Sequence, residues 1–393
     1  MSPRLSPLAA RIAHDGPDPW ALHWRARAAH AAGEDVIVLS VGDPDLDTPA
    51  PVVDKAIERL RARDTHYTES AGRAPLRAAI AAAHAERTGQ PVTADNVIFV
   101  NGAQNGLFVS SLLVAAPGDE VITLDPMYAT YPATIQVSGA ALVSVPAPAS
   151  RDFHPDLAAL GQAITPRTRA IFVATPGNPS GVVLTDSEVD GIARLAEQHG
   201  LWVVTDEVYA GTADGGRVPS LGARLPDQCL TVSSLSKTHA MTGWRCGWIV
   251  GPTPFIHHAD MVAQCMTYGL PGFIQDAALK AFGMRTEAEA SVRTLCRARR
   301  DTFCAALQGL LALRVHRPDA GMFMLLDVRG TGLSGREFAN RLYDSERVSV
   351  LDGAACGRET QGFVRVCFVT DEASLAEAAR RIRRFAAGSE TPR

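Results

Sequence analysis

Apolar residues in the middle of this chain fall in short continuous runs, not in the strict alternation of a sheet with one wet face. The runs are 97–101 (VIFVN), 120–124 (EVITL), 140–145 (AALVSV), 169–174 (RAIFVA), 201–205 (LWVVT), 229–233 (CLTVS) and 247–251 (GWIVG). Such runs mark strands covered on both faces, as in a mainly parallel sheet. Helical periodicity fills the gaps, for example over 104–116 (QNGLFVSSLLVAA) and 186–199 (DSEVDGIARLAEQH). The second has Thr185 or Asp186 as its N-cap, Glu188 in the first turn and Gly200 just past its end. This is βα alternation, the signature of an α/β unit. One long helical stretch follows over about 272–312. After it the pattern changes to strands at 322–327, 347–351 and 363–368 mixed with helices at 335–345 and 372–387. The expected division is 1–45 as an N-terminal arm joined to a smaller unit, 46–285 as a large α/β unit, and 286–393 as a smaller α+β unit.

Composition narrows the function more than the fold. The chain has 393 residues, 46% apolar and 20% charged, which is enough to bury a large core. A net charge of −4 leaves no basic footprint for nucleic acid or for an anionic membrane. No apolar run approaches the ~20 residues of a spanning helix, and the N-terminal segment does not read as a signal peptide. Seven cysteines without a CxxC pair argue against a disulfide framework and a zinc ribbon, and point to the cytoplasm. His257 and His258 are adjacent, which is not ligand spacing, and read as solvated loop residues.

Ligands of open α/β sheets bind beyond the carboxyl ends of the strands. Polar residues collect at those ends here. GAQNG follows 97–101, TPGNPSG with Asn178 follows 169–174, DEVY with Asp206 and Tyr209 follows 201–205, and SLSK with Ser234, Ser236 and Lys237 follows 229–233. The first amides of the helix near Ala103 and Gln104 make an anion site. Arg245 and the two serine hydroxyls would add charge-assisted bonds to the same phosphate. Neither a P-loop nor a dinucleotide fingerprint occurs, which disfavours a nucleotide-binding protein. A lysine, a buried aspartate and a phosphate site together suggest pyridoxal 5′-phosphate, which needs an amine for its aldehyde, an acid for its ring nitrogen and an anchor for its phosphate.

The segment SLSKTHAMTGWRCG (234–247) resembles the lysine signature of class I/II aminotransferases of fold type I. LSVGDPDLDTP (39–49), THYTESAGRAPLR (65–77), NGAQNGL (101–107), DPMYATYP (125–132), TPGNPSG (175–181), DEVY (206–209) and FVRVCF (363–368) are similar to that family's landmarks, in its order. The resemblance spans nearly the whole chain. It implies a seven-stranded, mainly parallel sheet sandwiched by helices beside a smaller α+β unit. It implies that Lys237 binds the cofactor aldehyde and moves the proton at the substrate Cα, and that Asp206 pairs with the ring nitrogen. Tyr209 and Asn178 would bond the ring hydroxyl and Tyr128 would stack on the ring. Ala103, Gln104, Ser234, Ser236 and Arg245 would hold the phosphate, with Tyr67 reaching the phosphate of a partner subunit in a homodimer. Arg365 would clamp the substrate α-carboxylate beside Gly42, and Asn178 would also border the substrate. Trp20 and Tyr268 are candidates for the substrate pocket or for plain packing.

Within the family, SLSKTHAMTGWRCGW, GFIQDAA (272–278), GMFMLLDVRGTGLS (321–334) and VSVLDG (348–353) are similar to bacterial members acting on arginine and pyruvate. That implies an L-amino acid donor, arginine first, and a 2-oxo acid acceptor, pyruvate first. Aspartate, alanine or aromatic donors, and a β-eliminating lyase, stay open. A non-catalytic sensor would carry an added DNA-binding region, and no such region is read here. Two departures stand out. Thr175 replaces the first Asn of the family's NPxNPTG, and DGAACG (352–357) replaces PGxxFG, putting Asp352 and Cys356 near the expected substrate mouth.

Overall fold

A computed structural model describes residues 4–12 and 18–389. Its strands are β1 (Ile37–Val38), β2 (Val97–Asn101), β3 (Glu120–Asp125), β4 (Ala141–Pro146), β5 (Thr168–Ala174), β6 (Trp202–Asp206), β7 (Cys229–Ser234), β8 (Cys246–Val250), β9 (Arg314–His316), β10 (Phe323–Asp327), β11 (Val348–Ser349), β12 (Leu351–Asp352) and β13 (Phe363–Cys367). Seven of them form one sheet in the order β2-β8-β7-β6-β5-β3-β4. All neighbours run parallel except β8, which enters antiparallel to both β2 and β7. Helices cover both faces, so both sets of alternating side chains in the central strands are mostly apolar, with polar residues gathered toward the carboxyl ends of β6 and β7. Phe172, Val204 and Val232 pack on one side with Leu107 and Ile135. Ile171, Val173 and Val203 pack on the other with Val189 and Ile192. β4 departs from that rule. It is one of the two edge strands, and only Val145 among its residues is buried, whereas β2 at the other edge is buried at four of five positions.

The helix Asp186–His199 forms as its sequence dictates. Thr185 and Glu188 close a capping box, and Gly200 ends the helix at φ +63°. The long helical stretch expected over about 272–312 is two helices, Gly272–Phe282 and Arg285–Leu307, broken at Gly283 and Met284, and it ends five residues early, in a turn that leads to β9. The helix Thr253–Met266 precedes them. It carries His257 and His258 on its exposed face, in place of the expected loop.

β12, β13, β10 and β9 form a second, antiparallel sheet. Its core joins Met322, Met324 and Val366 to Phe303, Leu342 and Ile382 from three helices. The N-terminal segment packs here, since β1 pairs in parallel with β11. His23, on the helix Ala21–Ala31, bonds Ser40 at 2.9 Å, and Ser40 bonds Ser349 at 3.2 Å. All seven cysteines are free, and only Cys265 is exposed. Among the described residues no helix is long and apolar enough to cross a membrane.

Candidate active site

The carboxyl ends of β5, β6 and β7 and the start of the helix Gly102–Val114 enclose a cavity of roughly 160 Å³. Asp206 ends β6 inside it. Tyr131 donates its hydroxyl to one carboxyl oxygen at 3.1 Å, and the Val208 amide donates to the other at 3.2 Å. Burial outweighs both bonds and pushes the Asp206 pKa up to about 6. An acid so placed is made for a cationic partner, which would restore its charge.

Lys237 follows β7 across the cavity. Its ammonium donates to the Gly42 carbonyl at 2.6 Å and lies 5.9 Å from the Tyr209 ring. Burial lowers its pKa, with Arg365 and Arg245 adding repulsion, so the neutral amine is more accessible than on a surface lysine. Tyr209 is buried edge-on against Phe323. Tyr128 lines the cavity edge-on to Tyr131, at 5.9 Å between centroids.

One end of the cavity is built from glycines and an arginine. Asn101, at the N-cap of the helix Gly102–Val114, makes no side-chain cap bond, and the helix start carries the positive end of the dipole. Gly102 has φ +75°, and a Cβ on it would collide with the Arg245 guanidinium. A Cβ on Gly247 would stand 2.5 Å from the Ala103 amide nitrogen. Arg245 is itself left-handed, at φ +58°, and donates to the Thr242 carbonyl at 2.8 Å. Ser234 and Ser236 are buried beside it, with the Ser236 amide bonded to Ser234 Oγ at 3.3 Å. The Gln104 side chain is taken up by Thr130 and Thr134, which leaves its backbone for a ligand.

Arg365, on β13, is 2% exposed, so it is no solvent-face strand residue. Its guanidinium donates to Asn178 Oδ1 at 3.0 Å and to the Ser40 carbonyl at 2.9 Å. It lies 4.5 Å from the Phe323 ring and 5.9 Å from the half-buried Trp20 ring. This fixes a cation beside the cavity whose terminal nitrogens are both engaged and whose buried Nε has no partner, leaving donor capacity for an anion.

The structure therefore brings together Ala103, Gln104, Tyr128, Asn178, Asp206, Tyr209, Ser234, Ser236, Lys237 and Arg245 around one cavity, with Gly42 and Arg365 beside it. It does not bring in Tyr67 or Tyr268. These form an edge-on pair at 5.1 Å, 85% and 61% exposed, beside a separate surface cleft. Asp352 turns away from the mouth to cap the Ala354 amide and face Arg336. Cys356 is buried with Ala129, Leu351 and Trp20. Sequence reasoning missed Tyr131, the partner of Asp206, and Thr242, which lines the cavity. The second tyrosine of DPMYATYP was the available signal for Tyr131.

Comparison with known proteins gives the same answer as the cavity. The family model for aminotransferase class I and II matches residues 34–382. Arginine–pyruvate transaminase AruH of Pseudomonas aeruginosa is 44% identical over 381 residues, covering 96% of this chain and 97% of its own. Aspartate aminotransferase of Streptomyces avermitilis is 32% identical, over 92% of this chain and 91% of its own. The structure of aspartate aminotransferase from Thermus thermophilus with maleate superposes at a TM-score of 0.92 with 32% identity, over 98% of this chain and all of that one. With its fold, its cavity and its sequence in agreement, the chain belongs to the class I and II aminotransferases, enzymes that depend on pyridoxal 5′-phosphate.

Proposed function

We propose that this enzyme moves the amino group of L-arginine to pyruvate. The observation that carries the choice of donor is the 44% identity to the arginine–pyruvate enzyme over nearly the full chain, against 30–33% for the aspartate and aspartate/prephenate enzymes.

The residues present fit the cofactor. Gly102 and Gly247 leave room that a Cβ would fill, next to an uncapped helix start and the Arg245 guanidinium. When bound, pyridoxal phosphate supplies a carbonyl that carries the amino group and a ring that spreads negative charge from the substrate Cα. The Ala103 and Gln104 amides, Ser234, Ser236 and Arg245 would hold its phosphate. Asp206 would face its ring nitrogen, Asn178 and Tyr209 its ring hydroxyl, and Tyr128 its ring face. Lys237 Nζ would hold it by the aldehyde until the donor's amino group takes that place, and the released, buried neutral amine would then take and return the proton at the substrate Cα.

Arg365, steadied by Asn178 and Ser40, receives the α-carboxylate of donor and acceptor alike. Gly42 stands against Phe323, where a Cβ would collide with the ring, so only glycine fits this backbone beside Arg365. Trp20 covers Arg365 and shapes the mouth. The exposed pair Tyr67 and Tyr268 suits a homodimer in which Tyr67 reaches the phosphate of the partner subunit. Six buried thiols and no disulfide suit a reducing cytoplasm.

A half-reaction screen tests the assignment. Each amino acid is mixed with holoenzyme without an oxo acid, and loss of the visible cofactor band is followed. Arginine is expected to react fastest, and pyruvate to restore the band. Aspartate reacting faster than arginine would reject the donor. Ammonia release without an added oxo acid would indicate elimination.

A further inference from the structure

The segment that runs beside Arg365 is tied to the large sheet by a buried carboxylate with no part in the chemistry above. Asp125 ends β3 and is 4% exposed. One of its oxygens accepts from the Arg358 amide at 2.9 Å, the other from the Glu359 amide at 3.2 Å. Close by, the Met127 amide donates to the Cys356 carbonyl at 2.7 Å. Gly357, between these contacts, has φ +136°, and a Cβ on it would collide with the Asp125 carboxylate. The other end of the segment is held by the β12–β13 pairing, in which Leu351 lies opposite Arg365 itself.

Between the two anchors lies the turn Gly353–Cys356. Its Cys356 packs with Trp20, the residue that covers Arg365. Three residues after Asp125 comes Tyr128, in the cavity wall. One carboxylate thus joins the loop bearing Tyr128 to the loop bearing the mouth. Its bonds are charge-assisted, and without them two backbone donors lose their acceptor.

We propose that Asp125 is a positioning residue for the substrate carboxylate site. It latches the 353–359 turn to the end of β3, so that Arg365 and its Trp20–Cys356 wall keep one spacing from Tyr128. The inference rests on the reading of Arg365 as the carboxylate anchor. It assigns the distance between that anchor and the ring site to a residue touching neither substrate nor cofactor.

The test uses holoenzyme carrying Asp125→Ala, Asp125→Asn or Gly357→Ala. Asp125→Ala should raise KM for arginine and for a donor of unrelated side chain by the same factor, on the order of tenfold, with kcat within about twofold of wild type. Amide hydrogen exchange over 353–360 should speed up while the cofactor stays bound. Asp125→Asn keeps one acceptor oxygen and should fall between. Gly357→Ala should reproduce the KM rise with the carboxylate intact, and it carries the test if Asp125→Ala does not fold. Unchanged exchange over 353–360 in Asp125→Ala would overturn the latch. So would a joint fall in kcat, cofactor retention and melting temperature, the mark of a merely structural role. Arg365→Lys is the separate arm: if it leaves KM unmoved, the carboxylate reading fails, while the exchange result still decides the latch.

Discussion

Asp206→Asn should make the cofactor-free protein more stable at neutral pH. Burial holds the Asp206 pKa at about 6 in the folded chain, against 3.8 when exposed. Below 3.8 the carboxyl is protonated in both states and costs nothing. As pH rises, the unfolded chain ionises first, so stability falls through this window and the full cost is in place above about 6. At about 1.4 kcal/mol per tenfold change, that cost is about 3 kcal/mol. Asparagine has the same shape and no charge. Its oxygen can accept the Val208 amide, and its NH₂ can donate to the Tyr131 hydroxyl, which turns to accept. Urea denaturation of both cofactor-free proteins from about pH 3 to pH 8 reads the difference. The variant should match wild type at the acid end and exceed it by about 3 kcal/mol at pH 7. A gap that does not change with pH, or a variant less stable at pH 7, would refute the argument. The loaded enzyme should move the other way, losing activity because the cofactor's ring nitrogen has no anion to face.

Gly102→Ala should weaken cofactor binding at least ~10-fold, since the new methyl group displaces Arg245 and a left-handed alanine adds about 1 kcal/mol of strain. Fluorescence titration of the cofactor-free variant with pyridoxal phosphate measures it, and an unchanged affinity would contradict the proposed cradle. Arg87→Met strands the fully buried Glu207 carboxylate that Arg87 pairs with, and should cost about 3 kcal/mol of stability. Adding Glu207→Gln should recover part of the loss in chemical denaturation, and a single variant as stable as wild type would count against it. Arg365→Lys cannot span Asn178 and the Ser40 carbonyl with one planar fork, so KM should rise roughly 10- to 100-fold for every amino acid. A loss confined to one donor would place the contact on the substrate side chain instead.

The sheet was legible because burial on both faces leaves a continuous apolar run, and the strands of the large sheet lie within a residue or so of where those runs predict them. β4 is the instructive exception. Its apolar run reads like the others, but which strand ends at an edge depends on the order of pairing, not on local pattern. The break at Gly283–Met284 had a local signal, a glycine and then, over 285–291, seven residues without a large apolar side chain, that the long helical reading passed over. In the cavity, Asp206, Lys237 and Arg245 were readable as chemistry at strand ends. The Ser40 carbonyl was not, and Tyr131 had a local motif but no visible role, since each acts by meeting a residue far away in the chain. Tyr67 and Tyr268 had a local pattern but no partner in their own cavity, because their surroundings in one chain are open surface.

The antiparallel entry of β8 between β2 and β7 has a consequence for how such an enzyme can change. Because β7 and β8 are joined by the short connection 235–245, Lys237 and Arg245 travel together on one piece of chain. The wall beside Arg365 is assembled otherwise, from Trp20, the turn Gly353–Cys356 and the loop after β3, which are remote from one another in the chain. On the proposed reading, the groups that take the aldehyde and the phosphate, Lys237 and Arg245, are thus inherited as a block, while the other cavity residues, from Ala103 to Tyr209, come from scattered positions. Recombining residues 18–24 and 352–360 among relatives, with 229–250 left intact, is the natural route to an altered donor.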